Sequence, residues 1–329
     1  MGVPAADEGG GSHYRSNSFG YSRSVPSGEL GLAAMGMPVF PPKGVAVPPL
    51  DSRTAGSPAP SPVFDGIVSA LRSAGCVFAE EEARLLLAEA PLPRDLARNV
   101  RRRVEGVPLE LILGWAEFAG RRILVEPGVF VPRRRTGLLV NEALALLPAT
   151  WPEGPRRKPP VVVDLCCGSG AVGAAIAHEA PWVEVHAADI DPVAVRCASR
   201  NVGPVGGQVH AGDLFDALPR ELRGRVRVLV VNAPYVPTEA IRTMPPEARL
   251  YEPAASLDGG PDGLDFHRRV AAGGIGWLAP GGHLIIETSQ RQAAGTSAIL
   301  AAAGFGTRTV HSEEVDGTVV VGRVAEGTH

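Results

Sequence analysis

VVVDLCCGSGAVGAAIA (161–177) decides the fold. It opens as an apolar run around Asp164, passes through a glycine-containing turn at 168–170, and continues as small apolar residues at helical spacing. A strand, a tight turn and a helix in that order make the first half of a βα unit. Gly168 and Gly170 are expected in the turn because a Cβ there would keep a ligand from the backbone. The helix start behind them presents unpaired N–H groups. The pattern is D-x-x-x-G-x-G and not G-x-G-x-x-G. An acid beside a dinucleotide pyrophosphate would repel it, whereas Asp164 suits the cationic amino-acid end of S-adenosylmethionine.

Downstream, apolar strands alternate with helices. VEVHAAD (183–189), GQVHAGD (207–213), VRVLVVN (226–232) and GGHLIIET (281–288) read as strands, with helices over 171–179, 192–201 and near 264–278. AILAAAGF (298–305) and VVVGRVA (319–325) supply a last helix and a closing strand. Near-continuous apolar strands separated by helices predict an α/β fold with a mostly parallel sheet covered on both faces. Two further acids fall at strand ends. Asp189, 21 residues beyond Gly168, is placed to accept both ribose hydroxyls. Asp213 is placed to accept from the adenine amino group, with Leu214 against the ring. Asp191 precedes Pro192 and reads as a helix N-cap.

Upstream, the first 60 residues contain 27 that are Gly, Pro or Ser and show no apolar period, so 1–60 is expected to be a disordered tail. Residues 61–115 carry three stretches of helical periodicity, and the third (93–106) is expected to expose Arg94, Arg98, Arg101, Arg102 and Arg103. AEFAGRRILVEPGVFVP alternates with period two around Gly120, which makes 116–135 a β-hairpin linker ahead of a catalytic domain over 136–329.

The strand VRVLVV ends in Asn232, followed by Ala233, Pro234 and Tyr235. The Asn232 side chain and the Ala233 carbonyl offer two acceptors that would fix the plane of an –NH2 group and aim its lone pair at a methyl donor. Tyr235 would stack on a planar amide or base.

PLELILGWAEFAGRRILVEPGVFVPR (108–133), DLCCGSGAVG, GDLF, NAPY and YEPAASLDGGPDGLDFHRRV (251–270) together resemble the HemK/PrmC protein-(glutamine-N5) methyltransferases, over about residues 62–324. The resemblance implies a class I S-adenosylmethionine-dependent methyltransferase domain with a Rossmann-like, seven-stranded, mostly parallel sheet. It also implies an N-terminal five-helix-like substrate domain and methylation of a glutamine amide in a protein, typically in the Gly-Gly-Gln motif of release factors. Glu252 and Pro253 would wall the substrate pocket, with Asn232, Pro234 and Tyr235. The chain departs from the family pattern in having Ala233 for the first proline of N-P-P-Y, PRRRTG (132–137) for an RPETE-like stretch, and IIETSQRQ for a glycine-containing E-x-G-x-x-Q. Those changes sit around the substrate and leave the nucleoside pocket nearly untouched. A paralogue is implied, and the richness in Ala, Gly, Arg and Pro suits an actinobacterial-type genome.

The 329-residue chain is 45% hydrophobic and 20% charged, with a net charge of −3, which gives no global signal for nucleic acid or an anionic membrane. The arginines of 94–103 and 133–135 leave contact with ribosomal RNA open. Alternative readings are the same chemistry on a nucleic-acid amino group or small molecule, or a non-catalytic nucleotide-binding paralogue. Four cysteines without metal-like or disulfide-like spacing suit a reducing cytoplasm, and neither a metal nor a membrane span is expected. A monomer is expected. None of the scattered histidines is assigned to catalysis.

Overall fold

The apolar runs of Val161–Leu165 and Val226–Val231 become strands buried almost throughout, whereas that of Gln208–Ala211 becomes a half-exposed edge. A computed structural model describes residues 61–150 and 158–326. The tail expected over 1–60 and most of the Pro-rich link near 151–157 lie outside the described residues.

Helices α1 (Pro62–Ser73), α2 (Ala79–Glu89), α3 (Pro93–Val104) and α4 (Leu109–Leu113) come first. Ser61 caps α1 by accepting from Phe64 N–H at 3.2 Å, with Pro62 at the first helical position. Ile67, Val68 and Leu71 of α1 pack on Ala83 and Leu86 of α2. Four helices precede the hairpin among the described residues, where the family resemblance implied five. The hairpin pairs β1 (Trp115–Phe118) with β2 (Arg121–Leu124). It turns through Ala119 and Gly120, both at positive φ, as a two-residue turn requires.

One arginine departs from expectation. Arg103 is buried, donating to Glu82 at 2.7 Å and to Glu247 at 2.8 Å. It follows Asn99 by four residues and so shares the inward face of α3, while Arg94, Arg98 and Arg101 are exposed.

The main sheet has the order β5-β4-β3-β6-β7-β9-β8. Its strands are β3 (Val161–Leu165), β4 (Glu184–Asp189), β5 (Gln208–Ala211), β6 (Val226–Val231), β7 (Leu278–Glu287), β8 (Gly306–Ser312) and β9 (Gly317–Arg323). β9 alone runs opposite to the other strands, pairing antiparallel with β7 and β8. The polar stretch of β8 carries no apolar run that would announce a strand, because it is an edge with only one partner.

Period-two alternation divides the strands between two cores. Val162, Val228, Val230 and Ile285 face α5 (Gly137–Ala145), α6 (Ala171–Glu179) and α7 (Pro192–Val202). Val163, Leu229, Val231 and Ile286 face α9 (Asp265–Gly274) and α10 (Ala293–Ala302). The short helix α8 (Pro246–Tyr251) brings Tyr251 against Leu111, Ala116, Val125 and Val131. No helix of the described residues is long and apolar enough to cross a membrane.

Register does the rest. Leu165 pairs with Ala188 on one side and with Val231 on the other, and Val231 with Ile286. The carboxyl ends of β3, β4, β6 and β7 therefore finish level. The sheet order reverses between β3 and β6, so the crevice of an open α/β sheet falls there.

Candidate active site

The loop after β3 is shaped by the strand beside it. Cys167 N–H donates to the Ala188 carbonyl at 3.1 Å, and Gly168 N–H donates to Asp189 Oδ2 at 2.8 Å. Asp189 Oδ1 accepts from Asp191 N–H at 2.9 Å. Each carboxylate oxygen has a second acceptor site, so Asp189 keeps two for a pair of hydroxyls after both backbone bonds are made. Burial pushes the Asp189 carboxyl up, against the pull of those N–H groups. Asp191 caps α7, as expected, accepting from Val193 N–H at 2.8 Å.

Two residues of the β3–α6 segment stand elsewhere than the sequence suggests. Gly170 is set against α7: a Cβ there would lie 2.7 Å from Val202 Cγ2 and 3.0 Å from Ala198 Cβ. Helix packing, not ligand approach, forbids a side chain at that position. At Gly168 the nearest atom to such a Cβ is 4.0 Å away, and this glycine lines the cleft. Asp164 lies behind the loop, 2% exposed, with Oδ2 accepting from Gly173 N–H at 2.8 Å. Among the described residues no side-chain cation pairs with it, and burial pushes its carboxyl up to about 7.

That shift has a stability consequence. The unfolded carboxyl ionises near 3.8 and the folded one at about 7, so its contribution is fully present below 3.8 and is lost as pH rises to 7. Asp164→Asn keeps an acceptor for Gly173 and removes the titration. It is expected to abolish a fall on the order of 2–3 kcal/mol between pH 5 and pH 7.5, checked by urea unfolding of the ligand-free protein.

Beside Asp189, Ile190 is 67% exposed, an unusual exposure for a large apolar side chain. It lines the cleft with Leu214, which is held at φ 48. The two offer apolar surface for a planar base. The sequence signal for Ile190 is its place in ADIDP, an apolar residue directly after a strand-end acid. Asp213 begins the next turn, and Arg269 donates to its Oδ2 at 2.6 Å, so one of its oxygens is already engaged. Burial raises the Cys166 and Cys167 thiols well above their usual range, so neither is a ready nucleophile.

Asn232 continues from β6 into the same cleft. Its Nδ2 donates a long hydrogen bond, 3.5 Å, to Thr136 Oγ1. That turns Oδ1, the acceptor, away from Thr136. Ala233 is 2% exposed and lines the cleft with Pro234 and Tyr235. This turn is held by the stretch LDGGPDG. Val236 N–H donates to the Leu257 carbonyl at 3.0 Å, and Gly259 N–H donates to the Val236 carbonyl at 2.9 Å. Gln292 Nε2 donates to the carbonyls of Tyr235 at 2.9 Å and Asp262 at 3.0 Å. A Cβ on Gly263, whose φ is +76, would sit 2.3 Å from the Tyr235 carbonyl oxygen. One on Gly259 would lie 2.8 Å from the Pro234 carbonyl oxygen. The glycines of this stretch are therefore the bed of the Asn232–Tyr235 turn, a role the sequence did not reveal.

Glu252 is 8% exposed, pairs with Arg133, and lines the cleft with Pro253. Arg135 pairs with Glu287 at 3.3 Å, and Arg134 with Glu314 at 4.0 Å. Burial raises the carboxyls of Glu110 and Glu252, against the pull of Arg133. The cleft measures about 1270 Å³, and none of the described residues lining it is a histidine. No group of three or more metal-ligating side chains suited to a metal ion occurs among the described residues.

A family profile described as "Methyltransferase small domain" matches residues 122–255. The chain is 34% identical over 267 residues to the 4-amino-L-phenylalanine/4-methylamino-L-phenylalanine methyltransferase of Streptomyces pristinaespiralis, covering 76% of this chain and 90% of that protein. It is 37% identical over 220 residues to the release factor glutamine methyltransferase of Geobacter sulfurreducens, covering 65% of this chain and 72% of that one. The protein of the same description from Mycolicibacterium smegmatis is 34% identical over 241 residues, covering 72% and 80%.

Proposed function

Because the chain belongs to the HemK/PrmC-like family of S-adenosylmethionine-dependent methyltransferases, we propose that it methylates a planar –NH2 group held at the Asn232–Tyr235 turn, the side-chain amide of a glutamine in a protein. The observation that carries the reading is the position of Asn232. It stands level with the loop at Gly168 across the β3–β6 pair, with its amide nitrogen tied to Thr136 and its oxygen left to accept.

The cofactor fits the residues present. Asp189 keeps two acceptor sites for ribose hydroxyls, Ile190 and Leu214 offer apolar faces to adenine, and Gly168 leaves the loop open to the cleft. We assign one remaining oxygen of Asp213 to the adenine amino group, and Asp164, behind the loop, to the charge balance of the methionine end. When bound, the cofactor supplies an electrophilic methyl group. The protein's own contribution is orientation. An amide lone pair is delocalised, so Asn232 Oδ1 and the Ala233 carbonyl would hold both N–H bonds and leave the lone pair facing the donor. The Tyr235 ring would lie against the amide plane. Closing such a site from water strengthens these contacts.

The charge of the walls bears on the substrate class. Away from Asp189, Asp191 and Asp213, the cleft is lined by nine carboxylate side chains and four arginines. Such walls disfavour a phosphate backbone, which nucleic-acid sites meet with cations. A second reading, the amino group of a free arylamine amino acid, is favoured by the similarity to the S. pristinaespiralis enzyme along 90% of its length. It is also favoured by Arg133 and Arg135, whose pairs with Glu252 and Glu287 place charges of both signs beside the acceptor turn, as a zwitterion would need.

The test incubates the protein with labelled S-adenosylmethionine and, separately, a release factor carrying Gly-Gly-Gln, 4-amino-L-phenylalanine, and total RNA and DNA. Mass spectrometry then locates the label. Methyl on the glutamine amide is the expected result. Methyl on the arylamine alone selects the second reading, and labelled nucleic acid overturns both.

A further inference from the structure

Glu287 closes β7 and stands beside Asn232, since the parallel register sets Val231 against Ile286. It is 2% exposed. Its Oε1 accepts from the Tyr235 phenol at 3.2 Å and from Arg135 Nε at 3.3 Å. Its Oε2 is buried with no hydrogen-bond partner among the described residues. A carboxylate with half its acceptor capacity idle is a costly thing to bury. An apolar side chain of similar size would fill the place without that cost. The visible return is the hold on Tyr235, whose backbone carbonyl is fixed independently by Gln292. The ring is thus anchored at both ends, by strands β6 and β7 and by the start of α10.

We propose that Glu287 is the positioning residue of the acceptor site: by accepting the Tyr235 hydroxyl it sets the plane of the phenol ring as the wall against which a planar acceptor lies. Arg135 pairs with the same carboxylate at 3.3 Å. The ligand class this wall selects is a flat –NH2 group, amide or aryl, over a tetrahedral alkylamine, which has no plane to register. The inference rests on the acceptor site lying at the Asn232–Tyr235 turn.

The chain has four tyrosines, so 3-fluorotyrosine labelling of the full-length protein gives a simple fluorine spectrum in which Tyr235→Phe identifies one line. Glu287→Ala is expected to move and sharpen that line, and Glu287→Gln, which keeps an acceptor for the hydroxyl, to disturb it less. With whichever probe the protein methylates, Glu287→Ala is expected to lower kcat about 30-fold, by loss of orientation, and Glu287→Gln about fivefold. KM and cofactor affinity stay within about twofold of the parent, and Tyr235→Phe/Glu287→Ala is no slower than the slower single variant, as for groups acting as a unit. If the Ala variant fails to fold, the Gln variant carries both measurements. An unmoved fluorine line, or rate losses that multiply in the double variant, overturns the proposal. Failure of every methylation probe would count against the proposed function, and the fluorine measurement would still decide the role of Glu287.

Discussion

Asn232→Ala is expected to lower methyl transfer roughly 100- to 1000-fold while cofactor affinity stays within about twofold, the size of loss seen when a preorganised polar group is removed from a reacting centre. The asymmetry follows from position. Asn232 directly follows β6, one strand away from the loop at Gly168, so its amide reaches the cleft without being part of the nucleoside cradle. Its one described side-chain bond, to Thr136, is long and leaves little stability to lose. Asn232→Asp sharpens the test. It keeps an acceptor, replaces the donor to Thr136 with an oxygen, and adds a charge among walls already rich in carboxylates. It should recover little of the rate. Single-turnover transfer from labelled S-adenosylmethionine, beside calorimetric titration of the same samples, measures both quantities. A proportionate loss of cofactor affinity would place Asn232 in the nucleoside site and sink the acceptor assignment.

Asp189→Ala should do the reverse, weakening S-adenosylmethionine binding by roughly 100-fold or more, as expected when two charge-assisted hydrogen bonds of about 1.5–3 kcal/mol each are lost. The carboxylate also accepts from Gly168 N–H and Asp191 N–H, so its removal leaves one backbone donor in each of the two turns unpaired. Asp189→Asn keeps the shape and one acceptor, and is expected to lose about tenfold. Calorimetry on the intact protein reads both. Unchanged affinity in Asp189→Ala would remove the ribose from this strand end and with it the orientation of the cofactor in the cleft.

The residues behind these predictions were unequally legible in the sequence. Asp189 and Asn232 each end an apolar run, and a parallel sheet places strand ends together, so their convergence follows from local pattern and a general rule of α/β folds. Asp191 before Pro192 was equally plain as a cap. Other readings depended on what the chain meets far along its length. Gly170 looks like a ligand-facing glycine until α7 is seen against it. Arg103 looks like one more exposed arginine until Glu82 and Glu247 arrive, 21 and 144 residues distant. Glycines 259 and 263 show their purpose only against Pro234 and Tyr235.

The sequence by itself determined the doubly covered parallel sheet, the glycine turn after β3, the strand-end acids and the Asn232 turn. Periodicity and turn chemistry act over a few neighbouring residues, and those residues are all in view. Only the tertiary structure decided which side chains share a bond across the cleft: Glu287 with Tyr235 and Arg135, Gln292 with the Tyr235 carbonyl, Thr136 with Asn232. These partners are separated by 52 to 152 residues. Sheet order and register, not local pattern, bring them within hydrogen-bonding distance.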